Sequence, residues 1–217
     1  MPQPLPKKYG PPRFGSSQLA QRPVIATMMM VCLNRFAEID HRWGIILAEI
    51  LEAEAGAGVA MYNAVENDNS KRHLLLAASA KRLSTHYQVQ LTELLDSVRR
   101  LAKLRNAIAH EQWGGVDEDL DGIVLGNGRW AAEATANQFA VQHGVETVLG
   151  SAEVSRRPMR YTARDFETYA QDLAEIIDRQ VELTRAFKNF RKVTRETAAG
   201  MMMEGLKGLN AKKPPPR

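Results

Sequence analysis

Arg105 and His110, five positions apart, are the side chains of this sequence best suited to act together on an anion. A guanidinium keeps its charge throughout the physiological range and presents a planar fork to oxyanions. An imidazole, with an ordinary pKa of about 6.5, gives and takes protons near neutrality. Asn106 stands between them and can orient the imidazole or touch the same anion. Arg99 and Lys103 precede them at helical spacing, so Arg99, Lys103, Asn106 and His110 line up as one polar stripe. The chemistry such a set can do is proton transfer beside a stabilised negative charge.

These residues need a helix to hold them. Leu91, Leu94, Leu95, Val98, Leu101, Ala102, Ile108 and Ala109 recur with the three- and four-residue spacing of one helix face. The pattern predicts a helix from about Gln88 to Gln112, stopped by Trp113-Gly114-Gly115. His110 then falls in the last turn, where the carbonyl end of a helix attracts an imidazolium. Arg105 falls inside the apolar stripe, a costly place unless it is paired or lies at a seam. An acidic residue of the first helix, Glu38 or Asp40, is one candidate partner.

The segment Leu104-Arg105-Asn106-Ala107-Ile108-Ala109-His110 resembles the HEPN superfamily, all-helical nucleotide-binding domains. Their last core helix carries an Arg, a polar residue, a short spacer and a His. Arg35 and His41 fall within the same spacing range, but the Arg105 match has the context they lack: an Asn after the Arg, an Ala before the His, and a strong amphipathic helix leading in. The resemblance implies a helical bundle, a homodimer, and a site where the Arg-His helices of two chains meet. In catalytic members that site cleaves RNA without a metal, leaving 2′,3′-cyclic phosphate ends. It implies Arg105, His110 and Asn106 as catalytic residues, with Arg99 and Lys103 holding adjacent phosphates. It covers the helices from about residue 18 to 112 and the closing helix from 162.

Composition sets the frame. A chain of 217 residues suits one domain with extensions or two small ones. That length buries a sizeable core, so neither metal nor disulfide is required for stability. The single cysteine, Cys32, sits in an apolar run and reads as a small core residue in a reducing cytosol. The pI of about 9.3 suggests nucleic acid. Residues 1–17 contribute +3 and 188–217 contribute +6 to a total of +4, which leaves −5 on residues 18–187. The basicity belongs to the ends, so an interface with nucleic acid must be a local patch. The longest apolar run, Val24 to Leu33, is half the length of a membrane span, and the cytoplasm is the expected location.

The expected architecture is mainly α, a HEPN-like bundle of four to five helices with a small β-hairpin insert after the motif helix. Residues 1–17, with five prolines, read as a disordered tail. Residues 18–190 form the helical domain, and 191–217 a basic flexible tail. The first helix starts near Ser17 or Pro23 and closes at Ala55-Gly56-Ala57-Gly58. A short helix covers 58–66, and a third, capped by Asn69 or Ser70, covers 71–85. Within the insert, 116–160, Ile123–Leu125 runs into a turn at Gly126-Asn127-Gly128, and Phe139–Val141, Val145–Leu149 and Met159–Thr162 read as further short strands. Thr162-Ala163-Arg164-Asp165 is a capping box opening the last helix, which runs to about Phe190. Met201-Met202-Met203 is an apolar patch in the tail.

Several chemistries find no footing. There is no CxxC or HExxH and the histidines are scattered, so neither a metal nor another cofactor is expected. A phosphate-binding glycine loop between strand and helix is missing, as is a serine nucleophile elbow. Three readings remain: a HEPN-like endoribonuclease, such as a toxin or stress-defence element with an antitoxin; a non-catalytic HEPN-like dimer that binds nucleic acid or a partner protein; and a plain helical scaffold.

Overall fold

A computed structural model describes residues 2–6, 8–9, 12–126, 128–144 and 159–211. The protein is mainly helical with one small antiparallel sheet. In order along the chain come β1 (Gln3–Pro4), β2 (Arg13–Phe14), α1 (Ser16–Ala20), α2 (Pro23–Leu51), α3 (Ala55–Asn63), α4 (Asp68–Arg82) and α5 (Thr85–His110). There follow β3 (Gln112–Val116), β4 (Asp119–Gly126), α6 (Gly128–Gln142), β5 (Met159–Thr162) and α7 (Ala163–Ala211). Seven helices among the described residues exceed the four or five expected. No helix among them is long and apolar enough to cross a membrane.

The chain divides into two compact units, 1–40 with 93–177, and 41–92 with 178–217. The first holds the sheet, in strand order β1-β5-β4-β3-β2. Its edges come from the stretch expected to be a disordered tail. Gln3 and Pro4 pair with Arg160 and Met159, and Arg13 and Phe14 pair with Gly115 and Gly114. Proline is tolerated there because an edge strand has one side without ladder bonds. Leu5 is buried in a cluster with Val116 and Val124, Tyr9 packs on it, and Arg13 forms an ion pair with Asp117 at 2.9 Å. A few apolar side chains and backbone pairing thus hold a segment whose composition argues for disorder.

The hairpin forms earlier than its sequence suggested. β3 follows His110 almost at once and turns at Asp117-Glu118 into β4. Gly114 makes this possible by lying flat under Phe14: a Cβ there would come within 2.7 Å of the ring. Phe139–Val141, expected as a strand, belongs to α6, whereas Met159–Thr162 is the strand β5. Val145–Leu149 lies outside the described residues.

The helical core of this unit is built from apolar stripes of three helices. Ile25, Met29, Cys32 and Ile39 of α2, Ile108 of α5, and Phe166 and Leu173 of α7 are all buried. The capping box opens α7 as expected: the Thr162 backbone N–H donates to Asp165 Oδ2 at 2.9 Å, and the Asp165 N–H reaches Thr162 Oγ1 at 3.4 Å.

In the second unit, Trp43, Ile46, Leu47, Leu75 and Phe187 form the core. α2 closes at Glu52, whose φ of 56° is left-handed, and the Ala53 N–H donates back to Ala48 O at 2.9 Å. The glycines expected to end it lie inside α3 instead. Gly58 lets α3 approach α2, since a Cβ there would come within 2.4 Å of Ala48 Cβ. The cap of α4 is Asn67, whose Oδ1 accepts from the N–H groups of Asn69 and Ser70 at 2.8 and 3.3 Å. α7 continues helical through the segment expected to be a flexible tail, with Met201, Met202 and Met203 exposed.

Candidate functional site

The end of α5 carries the five expected residues. Arg99, Lys103, Asn106 and His110 are exposed, and Arg105 is half-buried. The interruption of the apolar stripe is resolved by an aromatic ring: the Arg105 guanidinium carbon lies 5.5 Å from the centre of Phe36 on α2. Such a cation–π contact compensates a partly dehydrated guanidinium without neutralising it. Arg105 Nη1 also donates to Asn106 Oδ1 at 2.9 Å, so the carbonyl end of Asn106 is engaged with Arg105. The partner found for Arg105 is thus an aromatic ring, where an acid had been anticipated.

The turn beneath Arg105 is held from α7. Tyr169, 5% exposed, donates its hydroxyl to Leu101 O at 2.8 Å. The same phenol is contacted by the backbone N–H of Arg105. Burial pushes the phenol up, and nearby Cys32 adds to this against the Arg105 hydrogen bond. Cys32 itself is pushed up to about 11 by burial, against the charge of Arg35, so it stays a neutral thiol packed on α7. The Arg35 guanidinium donates to Ala170 O on the same helix. Three helices therefore fix the backbone that carries Arg105.

His110 ends α5, and the strand behind it is anchored. The Trp113 indole donates to Ile108 O at 3.1 Å, and the Glu111 N–H donates to Ala107 O at 2.9 Å. These bonds satisfy two of the carbonyls a helix end leaves open. Glu111 brings charge to the vicinity: the Tyr161 phenol on β5 is raised first by burial, then by Glu111 and Asp165. Tyr161 stacks on Phe166 with centroids 5.8 Å apart. Glu111 and Tyr161 were missed in sequence reasoning. Glu111 was visible beside His110, but Tyr161 reaches this end only through strand pairing.

A second polar constellation was not legible at all. Arg22, 2% exposed, precedes α2 and donates to four backbone carbonyls: Gly122 at 2.7 Å, Val116 at 2.8 Å, and Gln18 and Asp119 at 2.9 Å. A fifth bond reaches Gln18 Oε1 at 3.1 Å. Burial lowers its pKa, opposed by Asp119 and Asp117. Beside it Arg160 grips the Asp119 carboxylate with two nitrogens, one bond measuring 2.7 Å. Gly115 and Gly122 are required here, because a Cβ on either would meet Arg22, or Arg160 and Asp119, at 2.5 Å or less. This set ties the hairpin to α1 and α2. An adjoining cavity of about 310 Å³, lined in part by Pro23, Leu120, Asp121 and Arg164, contains none of the motif residues.

The Arg160 hydrogen bonds hold the Asp119 carboxyl below the usual carboxylate range, against the effect of burial. A depressed folded value contributes stability above the unfolded pKa of about 3.9 and loses it as pH falls through the folded value. The urea midpoint of the protein is therefore expected to drop on acidification below about pH 4, and Asp119→Asn to flatten that drop. An unchanged acid slope in Asp119→Asn would remove Asp119 as its cause.

Among the described residues, no three or more His, Cys, Asp or Glu side chains are grouped to hold a metal ion. No protein-family model, curated protein or solved structure matches this chain.

Proposed function

We propose that the chain is a HEPN-like, metal-independent endoribonuclease that acts as a homodimer through Arg105 and His110. The carrying observation is the end of α5. One half-buried guanidinium is positioned by Phe36, Asn106 and the Tyr169-bound turn, one helical turn and a half before an exposed imidazole. In the reaction, the His110 imidazole of one chain takes the proton of a ribose 2′-hydroxyl. The 2′-oxygen then attacks the adjoining phosphorus. The 5′-oxygen leaves with a proton from His110 of the partner chain, and a 2′,3′-cyclic phosphate remains. Arg105 stabilises the charge that builds on the phosphoryl oxygens. Arg99 and Lys103, exposed on the same helix, hold flanking phosphates.

The test is cleavage of a mixed RNA substrate in excess EDTA by wild type, His110→Ala and Arg105→Ala, each checked for unchanged circular dichroism. Wild type is expected to leave cyclic phosphate ends, with each substitution slowing cleavage by about 10²–10⁴-fold. Equal background in all three would overturn the reading.

A second reading is a non-catalytic dimeric module that binds nucleic acid or a partner protein, such as an antitoxin, and the −5 charge of residues 18–187 favours the protein partner. Its mark would be a dimer that weakens in Arg105→Ala with no cleavage in any variant.

A further inference from the structure

The second compact unit carries a feature that the motif does not use. Residues 41–92 and 178–217 hold +6 of net charge while the remainder holds −2, together the +4 of the chain. Part of that charge converges on a cleft of about 190 Å³ between α2 and α7. Arg42, Arg185 and Lys188 line it over an apolar floor of Ile45 and Val181, with Thr184 completing the wall. No carboxylate belongs to the lining. The Thr184 hydroxyl donates to Gln180 O at 2.7 Å, and the charged groups of the cleft are all cationic. An apolar floor weakens dielectric screening, so a bound anion would be held more strongly than on an open surface.

The charge continues beyond the cleft. Arg185, Lys188, Lys192 and Arg195 follow one another at three- and four-residue spacing, and all four are exposed. At 1.5 Å per residue the stripe extends about 15 Å. Among the described residues three carboxylates, Glu49, Glu52 and Glu196, pair with five cations, and Glu196 lies 4.0 Å from Lys192. Glu49 serves both Lys188, at 3.6 Å, and Arg191. Glu52 serves both Arg195, at 2.8 Å, and Arg82, at 3.8 Å. A single phosphate fills the cleft but not the stripe, whereas successive phosphates of a strand match both. The lining lacks Asn, Gln and aromatic side chains, the groups that read or stack on bases.

We propose that the Arg42–Arg185–Lys188 cleft and the cationic stripe of α7 bind the phosphate backbone of a polynucleotide without base selectivity. The test is fluorescence anisotropy of the full-length chain with a labelled oligothymidylate DNA over a range of KCl concentrations. The probe lacks a 2′-hydroxyl, so binding is read independently of any cleavage. Wild type is expected to bind with strong salt dependence. The double variant Arg42→Gln/Arg185→Gln is expected to bind at least about tenfold more weakly. Its log–log salt slope should be shallower by about 1.4, since each phosphate no longer neutralised removes about 0.7. Lys81→Gln, an exposed charge outside the lining, is expected to stay within about twofold of wild type. Arg185→Gln/Lys188→Gln, confined to exposed positions, carries the same expectation as the first double variant if Arg42→Gln disturbs the fold.

Wild-type affinity in both double variants would overturn the proposal. So would an equal loss in Lys81→Gln, which would indicate diffuse charge, or competition by inorganic triphosphate as effective as by the oligonucleotide, which would indicate a small-anion site.

Discussion

Arg22→Met is expected to destabilise the protein by about 3–5 kcal/mol, the range for removing one member of a buried charged network. At this chain length that lowers the melting temperature by about 6–20 °C. The substitution conserves much of the volume, so the loss is not chiefly a cavity effect. It comes from acceptors. Val116, Gly122 and Asp119 turn their carbonyls inward because the guanidinium is there to meet them. With a thioether in its place those oxygens stay buried and unpaired, at about 1–3 kcal/mol each before relaxation. Arg22→Lys is expected to recover only part of the loss, since an ammonium is a point donor and cannot span the fork. Both effects are read from thermal melts followed by circular dichroism. A melting temperature for Arg22→Met within about 2 °C of wild type would show that water or a shifted hairpin replaces the network.

The contrast between Arg22 and Arg105 shows what sequence can carry. Arg105 announced itself by interrupting an apolar stripe, and its place on α5 followed from helical periodicity alone. Its partner did not, because nothing in residue type or spacing sets Phe36 apart from the apolar residues of α2 that pack the core. Arg22 announced nothing: it precedes a proline, and three of its acceptors are backbone carbonyls about a hundred residues away, which have no residue-type signature. The same reason hid β1 and β2, whose few residues pair through backbone groups in a proline-rich stretch. The long helices were legible because each sustains its pattern over many turns, and the opening of α7 because a capping box is written in side chains. α6 was misread where Phe139–Val141 was short enough to fit either period. Of the site, the helix and its exposed polar stripe were legible. The Tyr169 bond to the Leu101 turn was not, nor the neighbourhood of Tyr161 and Glu111, because both depend on which elements become neighbours.

The largest effect on activity is expected where charge is kept and shape is lost. Under the proposed ribonuclease reading, Arg105→Lys should slow RNA cleavage by about 10²–10³-fold, the loss typical of removing one oriented donor from a transition-state oxyanion. The fold should survive, because Leu101, Ile108 and the Tyr169 bond hold the helix independently of this side chain. Two features make lysine a poor substitute. The guanidinium lies at a fixed height over Phe36 while one nitrogen is engaged with Asn106, so its remaining donors project in a defined plane. An ammonium on a flexible stem can satisfy one such contact at a time. The defect should appear in kcat more than in KM, because a positive charge still attracts RNA while the developing phosphoryl charge loses its fork. The pH profile should retain the limb set by His110, since the proton-transfer group is untouched. Tyr169→Phe tests the support beneath: it removes one buried hydrogen bond at about 0.5–1.5 kcal/mol of stability. Arg105→Lys with wild-type kcat would mean that position 105 supplies only charge, and would move the stabilising role to Arg99 or Lys103. Loss of dimerisation in Arg105→Lys, with cleavage absent from wild type as well, would assign the fork to assembly.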